Sequence, residues 1–279
     1  MKNPCKKIAI IFDFDDTLCN DSTEAFLKYA GIDTEEFWHL TSDKIKAGFD
    51  PALAYMTLMI DKASETKSTA FFTKKNMQNF GKTLKFYPGV KVFFNNIRKY
   101  VKSINSQVKL EFYLISSGLE GIIINSAIAD EFSGIYASAF DYEKRTGKII
   151  MPKRVVSFTD KTRFLFAISK GIKPKEYFSN PFKVNERQSP STSYNIPISQ
   201  MIYVGDGFTD IPCFSVVKAF HGKCIGVYKK NRHHIAKSLI KDNRVFAIAD
   251  VNYNNKGQLV GFIKKYIYEI IENLKNLKK

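Results

Sequence analysis

Cysteine is scarce. The chain has four in 279 residues, Cys5, Cys19, Cys213 and Cys224, with neither the paired spacing of a zinc site nor the density of a disulfide framework. Free, reduced thiols are therefore expected. No run approaches the ~18 apolar residues of a membrane span, so no membrane partner is expected. The basic start, Met1 to Lys7, is followed by only five apolar residues before Asp13, too few for a signal-peptide core. A cytoplasmic protein is the expectation. Arginine is scarce as well, with 7 beside 36 lysines, whereas readers of phosphate and bases favour the forked guanidinium. No block of five or six like charges occurs either. The net charge of +16 thus reads as a solvated lysine-rich surface, and a nucleic-acid partner is disfavoured. An anionic substrate would gain from that field in either case.

What is present begins at residues 8–18, IAIIFDFDDTL. Five apolar residues rich in β-branching read as a buried strand. The run ends on Asp13, Asp15 and Asp16, at the carboxyl end of the strand, where open α/β sheets place their ligands. Crowded carboxylates raise one another's pKa unless a cation neutralises them. Alone, the cluster could also be an acidic surface turn, so partners elsewhere in the chain decide its meaning.

After Leu18 the pattern is helical for about seventy residues. Asn20, Asp21 and Ser22 are candidate N-caps and Glu24 a candidate capping-box acid. Apolar residues at helical spacing cover 34–48 and 51–64, and a further helix is expected over 73–84. Phe37, Trp38, Tyr55 and Met59 fit the core of this insertion better than a substrate pocket. From Tyr87-Pro88-Gly89, a turn, an α/β rhythm returns: helix 90–103, strand 108–115 ending on Ser116-Ser117-Gly118, and a helix to about Ala129. A strand over 135–140 and a hairpin flap around Thr146-Gly147 follow, then a helix 159–170 closed by Gly171. Residues 179–199 are the longest irregular stretch. Strand 201–204 leads into Gly205-Asp206-Gly207-Phe208-Thr209-Asp210, followed by a helix, strand 224–228, helix 231–241, strand 245–249 and a last helix from about Gln258. Lys275, Lys278 and Lys279 suit that helix's negative end. Strands alternating with helices predict a Rossmann-like parallel sheet covered on both faces, with the helical segment inserted after the first strand.

Three strand ends therefore carry polar groups: Asp13/Asp15, Ser116/Gly118 and Asp206/Asp210. Lys161 opens a helix between the second and the third. Hard carboxylate oxygens suit a divalent cation such as Mg²⁺, while backbone N–H groups, a hydroxyl and a compensating cation suit a phosphoryl group. The three histidines of the C-terminal half, His221, His233 and His234, show no ligand spacing.

In this order the motifs resemble those of the haloacid dehalogenase (HAD) superfamily. DFDDT is similar to its first motif, LISSG to its second, the lysine of TDKT to its third and VGDGFTD to its fourth. The insertion resembles the cap of phosphoserine-phosphatase-like members, which implies a core of 1–18 and 88–279 and a cap of 19–87. The resemblance implies a Mg²⁺-dependent phosphatase acting on a small phosphomonoester. Asp13 would be the nucleophile and Asp15 the general acid and base. Asp13, the Asp15 carbonyl and Asp206 would hold Mg²⁺ with Asp210 in support. Ser116, Ser117, Gly118 and Lys161 would hold the phosphoryl group, although Ser117 fits a structural role better. Thr17 would position the loop. Glu24 could meet a substrate amine, or simply cap its helix. Asp16 stands where such proteins often carry glycine and is expected to point to solvent. A nucleic-acid-associated or end-processing phosphatase, or a phosphomutase, are the alternatives.

Overall fold

The computed structural model describes residues 6–65, 71–187 and 194–276. Cys5, Lys278, Lys279 and residues 188–193 of the irregular stretch lie outside them. Strand β1, Lys7–Phe12, runs through the middle of a seven-stranded sheet. Its side chains alternate between two cores: Ile8, Ile10 and Phe12 join one, Ala9 and Ile11 the other. Burial on both faces explains why the strand reads as an unbroken apolar run.

The other strands are β2 (Lys109–Leu119), β3 (Gly134–Tyr142), β4 (Ile149–Arg154), β5 (Met201–Gly205), β6 (Lys223–Tyr228) and β7 (Ala247–Asp250). Their order is β4-β3-β2-β1-β5-β6-β7, parallel except for the β3–β4 hairpin. The chain builds outward from β1 to one edge, then returns to β5 and builds to the other. The carboxyl end of β1 is therefore the topological switch point, where such sheets bind ligands. Register completes the placement. Phe12 pairs with Leu114 and with Val204, so Asp13, Ile115 and Gly205 stand at one level.

Eleven α-helices lie among the described residues: α1 (Ser22–Tyr29), α2 (Thr34–Lys46), α3 (Pro51–Ser64), α4 (Lys74–Gly81), α5 (Val90–Ile104), α6 (Glu120–Ile123), α7 (Asp160–Lys170), α8 (Pro174–Ser179), α9 (Ile211–Ala219), α10 (His233–Lys241) and α11 (Gln258–Asn276). Helix α5 buries Val90, Phe93, Phe94, Ile97 and Val101, a stripe at helical spacing, and packs with α11 over one face of the sheet. Helices α7 and α9 cover the other. Helices α1–α4 fill the insertion after β1. They share a third core, around Phe26, Phe37, Met56 and Met59, with Leu119, Ile122 of α6, and Phe140 and Ile149 of the hairpin.

Two expectations need correction. Strand β2 continues past Ile115 to Leu119, and α6 is a single turn rather than a helix reaching Ala129. The Asn125 side chain donates to the Gly121 carbonyl at 3.0 Å, a local bond that competes with helix propagation, and the chain tightens into a 3₁₀ turn at Ala129–Glu131. The irregular stretch also holds a 3₁₀ turn, Pro181–Asn185.

Candidate active site

Asp13 emerges from β1 with its N–H donated to Val204 O at 2.9 Å, which fixes the residue against β5. Its carboxylate meets Lys161, from the first turn of α7. Lys161 is fully buried and lies 3.0 Å from Asp13 Oδ1, 2.8 Å from Asp210 Oδ1 and 3.4 Å from Thr209 Oγ1. A lysine that stays charged when taken out of water needs carboxylates in place of the solvent. Burial works to lower the pKa of Lys161, yet Asp13 and Asp210 overcome it and hold the ammonium well above its usual range. Asp210 also accepts from Tyr203 OH at 2.9 Å.

The carboxylates outnumber that one ammonium. Burial, with Asp210 nearby, pushes Asp13 up to about 7 despite Lys161. Asp15 is raised well above the carboxylate range by burial and by the charge of Asp21, although Ser22 N–H donates to Asp15 Oδ1 at 2.8 Å. Asp206 is raised by burial, then by Asp13 and Asp210. Carboxyls of Asp13, Asp206 and Asp210 lie within 4.8 Å of one another, and Asp210 Oδ2 is buried with no partner. A cluster of hard oxygens short of positive charge fits a divalent cation such as Mg²⁺.

Opposite this cluster, β2 ends in Ser116-Ser117-Gly118. The Gly118 N–H donates to Ser116 Oγ at 2.9 Å, and Ser117 Oγ is buried without a partner. Gly118 is required by close approach, since a Cβ there would come to 2.5 Å from Asp15 Oδ2. A Cβ on Gly205 would likewise collide with Asp210. Asp13, Asp15, Ser116, Ser117, Gly118, Lys161 and Asp206 all line one cavity of about 370 Å³. Asp210 sits behind it, in contact with Lys161. Glu24 is not among the lining residues; it pairs with Lys28, and Asp21 is the residue that caps α1.

Three features escaped the sequence. Asp16, expected in solvent, is buried at 6% exposure and held by Lys229 at 2.6 Å and Arg232 at 2.7 Å. Its backbone is left-handed, with φ 56°, which a short polar side chain tolerates better than most. Its cations come from the end of β6, so only their position after a strand could have signalled them. Trp38 and Tyr55, expected in a core, also line the cavity, while Phe37 and Met59 are buried as expected. Tyr55 OH donates to Ser117 O at 2.7 Å, tying α3 to the end of β2. Thr17 is tied through its carbonyl, which accepts from Tyr253 OH at 2.9 Å.

No family model matches the chain. An uncharacterized protein of Borreliella burgdorferi is 30% identical over 285 residues, covering 93% of this chain and 96% of that protein. The two belong to one family. Among solved structures, a substrate-bound phosphoserine phosphatase superposes with a TM-score of 0.53 at 14% identity, over 93% of this chain and 98% of that one. A phosphoserine phosphatase in a phospho-aspartyl intermediate analogue gives 0.52 at 15% identity, over 93% and 99%. The HAD family hydrolase t0658 of Salmonella enterica serovar Typhi gives 0.54 at 13%, over 88% and 67%. The fold is that of the HAD superfamily, phosphoserine-phosphatase-like. The segments that resemble HAD motifs and the observed geometry fall on the same strand ends: β1, β2 and β5 deliver the polar groups, and α7 delivers the lysine. Among the described residues, no helix is long and apolar enough to cross a membrane.

Proposed function

We propose that the protein is a Mg²⁺-dependent phosphatase that hydrolyses a small phosphomonoester through an aspartyl-phosphate on Asp13. The observation that carries this reading is the buried lysine. Lys161 neutralises Asp13 and Asp210 on one side of a cavity whose other side offers Asp15 and the Ser116–Gly118 turn. The segment 19–87 would act as a cap over a core of 1–18 and 88–279, supplying much of the wall facing the strand ends.

Lys161 keeps the Asp13 carboxylate available for attack and offsets the charge of the incoming phosphoryl group. Asp13 attacks phosphorus, the bond to the leaving oxygen breaks, and Asp15 gives that oxygen its proton. Burial and the charge of Asp21 raise the pKa of Asp15, the direction that suits a general acid. In the second half Asp15 takes a proton from water, whose oxygen attacks phosphorus and releases the Asp13 carboxylate and inorganic phosphate. Ser116, Ser117 and the Gly118 N–H would hold the phosphoryl oxygens; the free Ser117 hydroxyl argues for including it. Asp13, the Asp15 carbonyl and Asp206 would hold Mg²⁺, with Asp210 in support. When bound, the ion would supply the positive charge that the carboxylate cluster lacks and polarise the phosphoryl group.

Purified protein with Mg²⁺ is expected to release phosphate from p-nitrophenyl phosphate, and Asp13→Asn to abolish release. Full activity in Asp13→Asn would overturn the assignment of the nucleophile.

A further inference from the structure

The insertion lines the cavity with Asp21, Trp38, Tyr55, Thr41, Ser42 and a few small or apolar residues. In a chain carrying 36 lysines, none of the described lining residues that the insertion contributes is a lysine or an arginine. Among the described residues two cations line the cavity, and both face carboxylates already. Lys161 lies between Asp13 and Asp210, and Arg232 is paired with Asp16. A leaving group bearing a carboxylate or a second phosphate would meet Asp15, Asp16 and Asp21, with no uncommitted cation among the described lining residues to receive it.

The aromatic wall is held in place. Trp38 packs its edge against Phe37 at 5.2 Å between centroids and lies 6.3 Å from the Tyr55 ring. Tyr55 is pinned through its hydroxyl to Ser117 O. Phe158, 40% exposed, lines the cavity too. Aromatic faces beside a carboxylate are the environment that recognises an ammonium group, through cation–π attraction and ion pairing. Asp21 accepts the Glu24 N–H at 2.8 Å through Oδ1 and lines the same cavity, where a facing ammonium would offset the burial that raises its pKa.

Resting on the phosphatase reading, we propose that the substrate is the phosphomonoester of an amino alcohol, its ammonium group seated against Trp38 and Tyr55 and facing Asp21. Primary and quaternary ammonium share this chemistry. Phosphoserine differs by its added carboxylate, which this wall disfavours.

The test compares kcat/KM for phosphocholine with that for 3,3-dimethylbutyl phosphate, its neutral isostere, and for phosphoethanolamine with that for propyl phosphate. Preference for the ammonium ester is expected on the order of 10-fold in at least one pair, and over phosphoserine by a similar factor. Trp38→Leu keeps apolar bulk, and Asp21→Ser keeps a capping oxygen; each is expected to reduce the preference, mainly through KM. A second readout needs no turnover. Trp38 is the only tryptophan in the chain, so its fluorescence reports occupancy directly, and choline is expected to change it at concentrations where 3,3-dimethylbutanol does not. Hydrolysis of p-nitrophenyl phosphate with no preference in either pair would overturn this inference and leave the phosphatase reading standing. Preference for phosphoserine that is lost in Arg232→Gln would overturn it in favour of an anion-reading arginine. A choline response from a protein that hydrolyses no ester would support the ammonium site and sink the phosphatase.

Discussion

The two ends of the central sheet each bury a carboxylate beside lysine, with opposite results. At the amino end, Glu111 of β2 is 7% exposed and lies 3.0 Å from Lys109 and 3.5 Å from Lys7, with Tyr113 OH donating to it at 2.6 Å. Burial works to raise its pKa, but the tyrosine and the lysines overcome it and hold Glu111 below the usual range. At the carboxyl end, Asp13 has Lys161 at 3.0 Å and is still pushed up to about 7. The difference is stoichiometry. One carboxylate with two cations is a settled structural group; several carboxylates around one cation hold an electrostatic deficit that a proton or a further cation relieves. A functional end of a sheet is recognised by what its charges leave unbalanced.

Substitution should separate the ends. The largest expected effect is on turnover: Asp15→Asn should slow phosphate release by about 10²–10⁴-fold, while Glu111→Gln leaves it unchanged in the same steady-state assay. Next is stability. Lys161→Met strands Asp13 and Asp210 in a buried site, and urea unfolding at neutral pH should show a loss of about 3–5 kcal/mol. Glu111→Gln weakens one charge-assisted bond and two partly solvated pairs, and the same measurement should show a loss of about 1–2 kcal/mol. The smallest effect is a difference of sign. In a metal chelator, wild type should lose stability relative to Asp13→Asn as pH rises from about 4 to about 7, because the folded state holds a proton that the unfolded chain gives up. Against Glu111→Gln, wild type should instead gain as pH rises towards about 4.5 and hold that gain above it. Its depressed pKa stabilises above the unfolded value and is lost as pH falls through the folded one. Equal slopes for both variants would collapse the contrast between the two ends.

Much of this was legible before the structure. The run IAIIF predicted a strand buried on both faces, and alternation of strands with helices predicted the parallel sheet. The boundaries of α3 at Pro51 and Ser64 match the periodicity because Asp50 caps it and Pro51 occupies its first position. Lys161 was suggested by its place between the second and fourth motifs, but its complete burial was not, since a lysine at a helix start is ordinarily solvated. The role of Asp16 was invisible for a different reason. Its partners, Lys229 and Arg232, are more than 200 residues away, and a pair that distant leaves no periodicity or spacing to read. Trp38 packs against the core of the insertion as its spacing indicates; that it also lines the cavity was not legible, because an aromatic at helical spacing looks the same whether its helix faces a core or the mouth of a cavity.

Gly118 and Gly205 carry a consequence for how this sequence can drift. Each sits at the end of a strand with a carboxylate in the space that a side chain would occupy, Asp15 for one and Asp210 for the other. Any replacement at Gly118 must displace the Asp15 carboxyl, and any at Gly205 must disturb the carboxyl that Lys161 and Tyr203 hold. Even alanine, harmless at most surface positions, would push a carboxyl out of place at both. Descendants of this chain that keep its acids where they are would thus be held to glycine at two sites with no reactive group of their own.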